Sequence, residues 1–218
     1  VVGQIALPRP TAGLFGRGSI GEVSALAASV MTVVVFLAVL HLTQASGGLR
    51  WRLDLAWPRR AFDTFGLTLL HVAMTLLGIS VIYWLFSGAF KGVQLSLWAG
   101  ALCVGMATAV VCYLVSSSAA SLGTRRLSVL VVSFLGTGAM ASALSSSNEQ
   151  WWQQYFSSLG AASDLSGFTF NFTLVLTGLV LTTLADFLTH DLSQWAELVG
   201  VDHRRVMAVR IGIVVLGV

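Results

Sequence analysis

An acid and an imidazole four positions apart, Asp186 and His190, stand at one end of an apolar stretch of the chain. On a helix this spacing places them one turn apart, where they could share a metal ion or relay protons. Two ligands are too few for a metal site, because zinc sites in proteins take three or four protein ligands. The spacing therefore favours an ion pair, with a metal or proton role as the alternative.

His71 lies inside another apolar stretch, and small or hydroxyl residues surround it at helical spacing: Thr64, Thr68, Thr75 and Gly78. Ionisable residues within apolar helices often mark function, so this imidazole could carry a proton. A neutral imidazole that is hydrogen-bonded to a hydroxyl on the next helix needs no such role. The pattern favours this structural interpretation and leaves proton transfer as the alternative.

Asn171 belongs to a third apolar stretch and shares a helical face with small and polar residues: Gly178, Thr182, Asp186 and Thr189. Faces of this kind usually pack against neighbouring helices, because small residues permit close approach and polar side chains find partners there. A lined pathway or a ligand pocket is the alternative. His71, Asn171 and Asp186 are therefore the candidate intramembrane polar sites.

The sequence predicts no catalytic, cofactor or metal site. The segment from Gly16 to Gly21 matches the glycine spacing of a dinucleotide-binding loop, but that loop requires a preceding strand. Cys103 and Cys112 fall on opposite faces of one helix, without further ligands at metal-binding spacing. No nucleophile stands near a base as covalent catalysis requires. We therefore expect neither an enzyme nor a cofactor.

The composition is typical of a membrane protein. Of the 218 residues, 56% are hydrophobic and only 10% are charged, and the mean hydropathy is +0.85. Soluble proteins carry about 25% charged residues. The formal net charge of +3 comes from bases that separate the apolar stretches, so it predicts no binding to nucleic acid.

Five apolar stretches are long enough to cross a bilayer, since about 20 helical residues cover about 30 Å. They comprise residues 24–45, 64–86, 95–118, 127–146 and 168–189, and the start of a sixth runs from Val206 to Val218. The predicted fold is an all-α, polytopic transmembrane helix bundle with short interfacial helices.

The distribution of Arg and Lys between the spans predicts the orientation. The loops rich in bases, expected in the cytoplasm, are 46–63, 119–126 and 190–205. The loops with one base or none, expected outside, are 87–94 and 147–167. Residues 1–23 then form an outward-facing tail, and the chain is expected in a plasma membrane.

The outer loop 147–167 contains four aromatic residues that could contact lipid or a partner protein: Trp151, Trp152, Tyr155 and Phe156. Their helical spacing, and the preference of Trp and Tyr for the headgroup level, predict a short helix that lies flat on the membrane. Two interpretations of this helix stay open: an aromatic anchor in the membrane surface, and a lid or docking surface for lipid or a partner protein. A second interfacial helix is predicted at residues 191–199, with Asp191 as its N-cap.

Six residues around the outer loop form a pattern that is shared with a known family: Ser157, Leu159, Gly160, Phe170, Asn171 and Gly178. Over about residues 127–218 the chain resembles the bacterial, actinobacterial-type membrane proteins catalogued as domain of unknown function 998. The resemblance implies that residues 24–120 are a three-span addition and that residues 121–218 are the family-like part, continuing beyond the given sequence. It implies an architecture but no reaction.

These features together predict an accessory or scaffolding subunit of a larger membrane complex. Its expected partners are membrane lipids and other membrane protein subunits. The alternative is a transporter or lipid-handling protein of the bacterial envelope. In that case His71, Asn171 and Asp186 would line a pathway, and Trp151 and Trp152 would form its outer gate.

Overall fold

A computed structural model describes residues 11–45, 49–147, 150, 153, 155, 157–199, 208–209, 211–212 and 215. The predicted sixth span lies largely outside these residues. Trp151, Trp152 and Phe156 also lie outside them.

The described chain is almost entirely helical. In chain order its elements are β1 (Thr11–Gly13), α1 (Ile20–Ala45), a 3-10 turn (Arg50–Asp54), α2 (Trp57–Ala89), β2 (Gln94–Ser96), α3 (Leu97–Ala120), α4 (Thr124–Leu144), α5 (Ser158–Ala161) and α6 (Leu165–Val199). All the α-helices except α5 are long and apolar enough to cross a membrane. The prediction of an all-α fold with five full spans is confirmed, and the chain is a multi-pass membrane protein.

Helix α2 begins at Trp57, well before the predicted start of its span at residue 64. Pro58 accounts for the earlier start, because proline is favourable in the first helical turn, where its missing N–H would have no partner. The longer helix includes Arg59, Arg60 and Asp63. Three charged residues that the sequence assigned to a loop therefore belong to a spanning helix.

Helix α6 continues without a break to Val199. The prediction of a separate interfacial helix that starts at Asp191 is therefore wrong. No glycine or proline interrupts residues 190–199, so nothing in the sequence ends the helix there. Asp191 instead accepts a hydrogen bond from Thr124 Oγ1 at 2.5 Å.

The contacts divide the chain into two compact units. Unit 1 comprises Val1–Arg50 and His71–Ala120, and unit 2 comprises Trp51–Leu70 and Ser121–Val218. Helix α2 contributes to both units, with Trp57–Leu70 in unit 2 and His71–Ala89 in unit 1. The predicted division at residue 120 instead assigned Trp51–Leu70 to the N-terminal part.

Unit 1 is built on the packing of α1 against α3. Its tail segment β1 pairs antiparallel with β2, with Thr11 opposite Ser96 and Gly13 opposite Gln94. A Cβ on Gly21 would lie 2.7 Å from Leu14 O and 2.8 Å from Tyr83 Cβ. Glycine is therefore required at this position, where α1 begins.

Unit 2 is built on the packing of α4 against α6. The buried residues of α4 recur at helical spacing: Leu127, Val131, Phe134, Gly138 and Ser142. Gly138 faces Thr173, whose Oγ1 and Cγ2 would clash with a Cβ at that position. Ser142 Oγ donates to Ser166 O at 2.9 Å. A missing side chain and a hydroxyl thus bring the two helices close together.

The buried residues of α6 lie on more than the predicted face. Thr169, Thr173, Val180 and Phe187 lie about 160–200° from Asn171 on a helical wheel, whereas Asp186, on the predicted face, is buried as well. Asn171 itself is exposed, whereas the other residues predicted on its face are half-buried or buried. Thr173 Oγ1 donates to Thr169 O at 2.7 Å, so its hydroxyl needs no partner on another helix. Threonines therefore fill this interface as small residues.

Candidate functional site

His71 is buried in unit 1, where residues of two other helices surround its ring. Its Nε2 lies within hydrogen-bond distance of Ser118 Oγ on α3, at 2.9 Å. The ring of Phe36 on α1 lies against it, with 4.4 Å between the centroids. The predicted hydroxyl partner on the next helix is therefore Ser118, and a proton-carrying role stays a prediction.

Two further pairs of hydroxyls join α1 to α2 within unit 1. Thr32 Oγ1 and Thr75 Oγ1 share a hydrogen bond of 3.1 Å, and Ser24 Oγ donates to Tyr83 Oη at 3.1 Å. All four residues are buried. The interior of unit 1 thus contains a series of polar contacts, with His71 at one end.

Asn171 turns away from the packed face of α6 and closes the outer loop. Its Nδ2 donates to Gly160 O at 2.9 Å. A Cβ on Gly160 would lie 2.8 Å from Phe170 Cδ1 and 3.1 Å from Asn171 Oδ1. Three residues of the family-like pattern are therefore in mutual contact at the start of α6.

Asp186 is paired with an arginine that the sequence did not associate with it. Both carboxylate oxygens accept hydrogen bonds from Arg59, one from Nε at 2.6 Å and one from Nη2. His190, the partner that the spacing suggested, stacks on the indole of Trp51 at 4.4 Å and contacts Gln194. The acid and the imidazole therefore contribute to different contacts within unit 2.

A second arginine, Arg52, is completely buried next to this pair. Its Nη2 donates to Thr64 Oγ1 at 3.4 Å, and its guanidinium lies 5.9 Å from the centroid of the Phe187 ring. Nε and Nη1 have no hydrogen-bond partner among the described residues. Burial lowers the pKa of Arg52, and the negative charge of Asp63 opposes that shift.

Asp63 is buried on α2 within the same unit. Thr183 Oγ1 donates to its Oδ1 at 3.2 Å, and Oδ2 has no hydrogen-bond partner in the described chain. We name Arg52, Arg59, Asp63 and Asp186 the arginine–aspartate cluster. Two cations and two anions make it formally neutral, which allows charges to be buried there.

Three members of this cluster, Arg52, Arg59 and Asp63, were not predicted, because the sequence pattern assigned residues 46–63 to a loop. Pro58 was the signal that could have revealed them, since it favours a helix start just before Arg59. Arg52 had no local signal. Its burial depends on Phe187 and Thr64, and only the folded chain brings the first of these close.

Of the candidate aromatic contacts, only Tyr155 belongs to the described residues, and it is 88% exposed. Nine positions further along the chain, Asp164 holds the end of the outer loop. Its Oδ2 accepts from Ser147 N at 2.9 Å, and its Oδ1 accepts from Ser166 N at 3.0 Å and from Gly167 N at 3.3 Å. These hydrogen bonds, that of Ser147 first, hold the pKa of Asp164 below its usual value.

A wide cleft of about 710 Å³ lies in unit 2 where α4 begins. Its lining residues are Ser121, Gly123, Thr124, Arg125, Arg126, Val129 and Asp191. No group of three or more His, Cys, Asp or Glu residues suited to a metal ion is present in the part of the chain that the structure describes. Among the described polar candidates, His71 and Asn171 make hydrogen bonds and Asp186 forms an ion pair with Arg59.

Comparisons of the chain with protein-family models, with curated proteins and with solved structures give no match. The family resemblance therefore stays a prediction.

Proposed function

We propose that this chain is an accessory or scaffolding subunit of a larger complex in a bacterial plasma membrane. The observation that carries the proposal is an uncovered face of α3. Four large side chains on it are each 67–73% exposed: Trp98, Leu102, Met106 and Tyr113.

The centre of this α3 face favours contact with another helix. Gly105 and Ala109 lie there, both exposed, and a Cβ added to Gly105 would meet nothing within 4 Å. Lipid chains cover large apolar residues equally well, whereas a glycine on a spanning helix permits a second helix to approach closely. We infer that a transmembrane helix of another subunit packs here.

The polar candidates of unit 2 support a structural role. Asn171 is hydrogen-bonded to Gly160, and Asp186 is paired with Arg59. Side chains with such partners stabilise the fold of unit 2. Membrane lipids would cover the remaining apolar surface.

We further propose the orientation that the bases predict, with loops 46–63, 119–126 and 190–205 in the cytoplasm and loops 87–94 and 147–167 outside. The pairing of β1 with β2 supports it, because it brings the tail and the segment before α3 to the same end of unit 1. We also propose membership in the family of domain of unknown function 998. The contact between Gly160, Phe170 and Asn171 supports that assignment, since all three belong to the shared pattern.

Purification of the intact protein from its native membrane in a mild detergent tests the scaffolding role. We expect it to elute with other membrane proteins in fixed stoichiometry, at a mass above that of one chain. Gly105→Leu should remove these partners, while Met106→Leu, on the same face, should retain them. Elution of the wild-type protein as a monomer without partners would refute the proposal.

A second candidate, transport of a small solute or ion, is favoured by the polar contacts around His71. It differs from the predicted pathway, because Asn171 and Asp186 belong to unit 2 and have partners there. If the function were lipid handling instead, the cleft lined by Arg125 and Arg126 would be the candidate site for a lipid headgroup.

A further inference from the structure

The cleft at the start of α4 is lined by charges of both signs, all within unit 2. Its lining groups include the guanidinium groups of Arg125 and Arg126 and the carboxylate of Asp191. Its volume of about 710 Å³ falls within the range of small-molecule sites, about 300–1,000 Å³. These charges favour a ligand that carries both an anionic and a cationic group.

The charged groups of the cleft do not neutralise one another. The side chain of Arg125 makes no hydrogen bond or ion pair with the described residues. Oδ2 of Asp191 accepts from Thr124 Oγ1 at 2.5 Å, while Oδ1 accepts no hydrogen bond from the same part of the chain. A guanidinium group and one carboxylate oxygen are therefore available to a ligand.

The cleft lies where the surface of the bilayer is expected. Helix α4 has 21 residues, which extend about 31 Å and match the roughly 30 Å of the hydrocarbon core. Its first turn is therefore at the level of the lipid headgroups, whichever side of the membrane that end faces. The hydrogen bond between Thr124 and Asp191 places this part of α6 at the same level.

An uncovered apolar face of α4 starts at the cleft. Val129, which lines the cleft, is 59% exposed, and Val132 and Met140 are 69% and 51% exposed. Gly136 lies between these two, and a Cβ added to it would meet nothing within 4 Å. On a helical wheel these residues and Arg125 all lie within about 60° of Val129. The face therefore has a cation at one end and apolar residues along the rest of its length.

Lipid has the size and the polarity to cover this face. From Val129 to Met140 it extends about 16 Å along the helix, which is about half the thickness of the hydrocarbon core and thus the depth of one leaflet. A lipid whose acyl chain covers the face has its headgroup beside Arg125 and Asp191.

We propose that the cleft binds a phospholipid whose headgroup carries a phosphate and a primary ammonium, as that of phosphatidylethanolamine does. Arg125 and Arg126 bind the phosphate, because a guanidinium group matches the geometry of phosphate oxygens. Oδ1 of Asp191 accepts a hydrogen bond from the ammonium, and an acyl chain lies along α4. The bound lipid is a specific partner of the chain, and its binding requires neither lipid transport nor a protein subunit.

Asp191 makes the site selective among phospholipids. A headgroup with a phosphate and no cation would leave this carboxylate unpaired beside a second anion. The trimethylammonium group of phosphatidylcholine has the required charge but no N–H to donate to Oδ1. Only a primary ammonium supplies both the charge and the hydrogen bond.

Lipid titrations of the purified, delipidated full chain in detergent, followed by native mass spectrometry, test the site. The probes are phosphatidylethanolamine, phosphatidylglycerol and phosphatidylcholine with identical acyl chains. We expect phosphatidylethanolamine to bind about tenfold more tightly than either of the others, which is the effect of one hydrogen bond to a charged group. Because no partner subunit is present, the result is independent of the scaffolding proposal.

Two variants separate the roles of the charged groups. In Asp191→Asn the amide oxygen can still accept from Thr124, and phosphatidylethanolamine should bind no better than phosphatidylcholine. Arg125→Gln should weaken the binding of all three lipids by about tenfold. Glu197→Gln and Arg50→Gln, on exposed residues that do not line the cleft, are the matched controls and should bind as the wild type does.

Glycerophosphoethanolamine, which has the same headgroup without acyl chains, distinguishes a lipid from a soluble ligand. We expect it to leave the bound lipid in place at an equal concentration, because it makes no contact along α4. Displacement as effective as that by phosphatidylethanolamine would overturn the assignment to a lipid.

Equal affinity of the wild type for the three lipids, or tighter binding of phosphatidylglycerol, would also overturn the proposal. A preference for phosphatidylethanolamine that survived in Asp191→Asn would do the same. If Arg125→Gln alone failed to fold, Asp191→Asn would still decide, because its readout is a ratio between lipids.

Discussion

Arg59 and Asp186 are 127 positions apart in the chain and are joined by two hydrogen bonds, from Nε to Oδ2 and from Nη2 to Oδ1. The pair fixes the start of α2 to α6 within unit 2. The Asp186 side chain is 6% exposed and that of Arg59 is 37% exposed. The arginine therefore shields a carboxylate that would otherwise be a buried, unpaired charge.

Replacing Arg59 should accordingly destabilise unit 2. We expect Arg59→Gln to lower the free energy of unfolding by about 1–3 kcal/mol, below the roughly 3–5 kcal/mol of a fully buried pair, because Arg59 is partly solvated. In a chain of this length the melting temperature should fall by about 2–4 °C per kcal/mol. Thermal unfolding in detergent measures the change.

A double-mutant cycle isolates the pair itself. In a chain that already carries Asp186→Asn, the further change Arg59→Gln should lower the free energy of unfolding only slightly. The carboxylate that Arg59→Gln would leave unpaired is absent from that chain. Arg60→Gln is the matched control on the adjacent residue. Equal losses from Arg60→Gln and Arg59→Gln would show that only the local net charge matters.

The α4–α6 contact gives a sharper comparison, because two glycines of one helix have opposite surroundings. Gly138→Ala places a Cβ against Thr173, so we expect a loss of about 1–3 kcal/mol from overpacking. Gly136→Ala has nothing within 4 Å and should be neutral or stabilising by up to about 1 kcal/mol, from helix propensity. Chemical unfolding of both variants measures the difference. Equal stabilities would contradict the close packing at Gly138.

Helix α6 of the α4–α6 contact also shows which features could not be predicted from the sequence. The five spans followed from apolar run length, which is a local property, and the structure has them all. The exposure of Asn171 on α6 did not follow. Wheel position groups Asn171 with other polar residues, but in a bilayer a polar side chain can bond to a loop carbonyl, as Asn171 does at Gly160, and still be exposed.

The candidate site was predictable only in part. The hydroxyl partner of His71 could be expected, because a threonine- and serine-rich neighbourhood supplies one, although Ser118 itself could not be named. The partner of Asp186 could not be expected. Arg59 lies more than a hundred positions away, and a local rule paired the acid with His190 instead.

Acid should release the loop that Asp164 holds. Hydrogen bonds lower the pKa of this carboxyl in the folded chain, so its stabilising contribution is complete above the unfolded pKa of about 3.9 and disappears as the pH falls through the folded pKa. We expect Asp164→Asn to have a lower melting temperature than the wild type at neutral pH. The difference in melting temperature should disappear as the pH falls. Melting temperatures across the acid range measure this. A gap that is unchanged below about pH 3 would contradict the role of the carboxylate.

Cysteine labelling should establish which ends of the helices face outward. In a background with Cys103→Ala and Cys112→Ala, we expect Gln94→Cys to react with a membrane-impermeant maleimide on intact cells. Thr11→Cys should react with it as well, because β1 pairs with β2. Ser121→Cys should react only after permeabilisation. Labelling of Ser121→Cys on intact cells would reverse the proposed orientation.

The buried charges of Arg52 and Asp63 lead to the last prediction. Arg52→Met removes a cation whose pKa burial lowers, but it leaves Asp63 buried without the nearby charge that compensates it. We expect this single change to cost about 3–5 kcal/mol, as when one partner of a buried pair is removed.

The double variant Arg52→Met/Asp63→Asn should recover most of that loss, because a neutral amide can keep the contact with Thr183 and no charge stays buried. Arg50→Met, on an exposed arginine two positions earlier, is the control and should change stability by less than about 0.5 kcal/mol. Thermal unfolding of the three variants in one detergent compares them directly. If the double variant were less stable than Arg52→Met, the two charges would not compensate each other, and each would be held by its own hydrogen bonds.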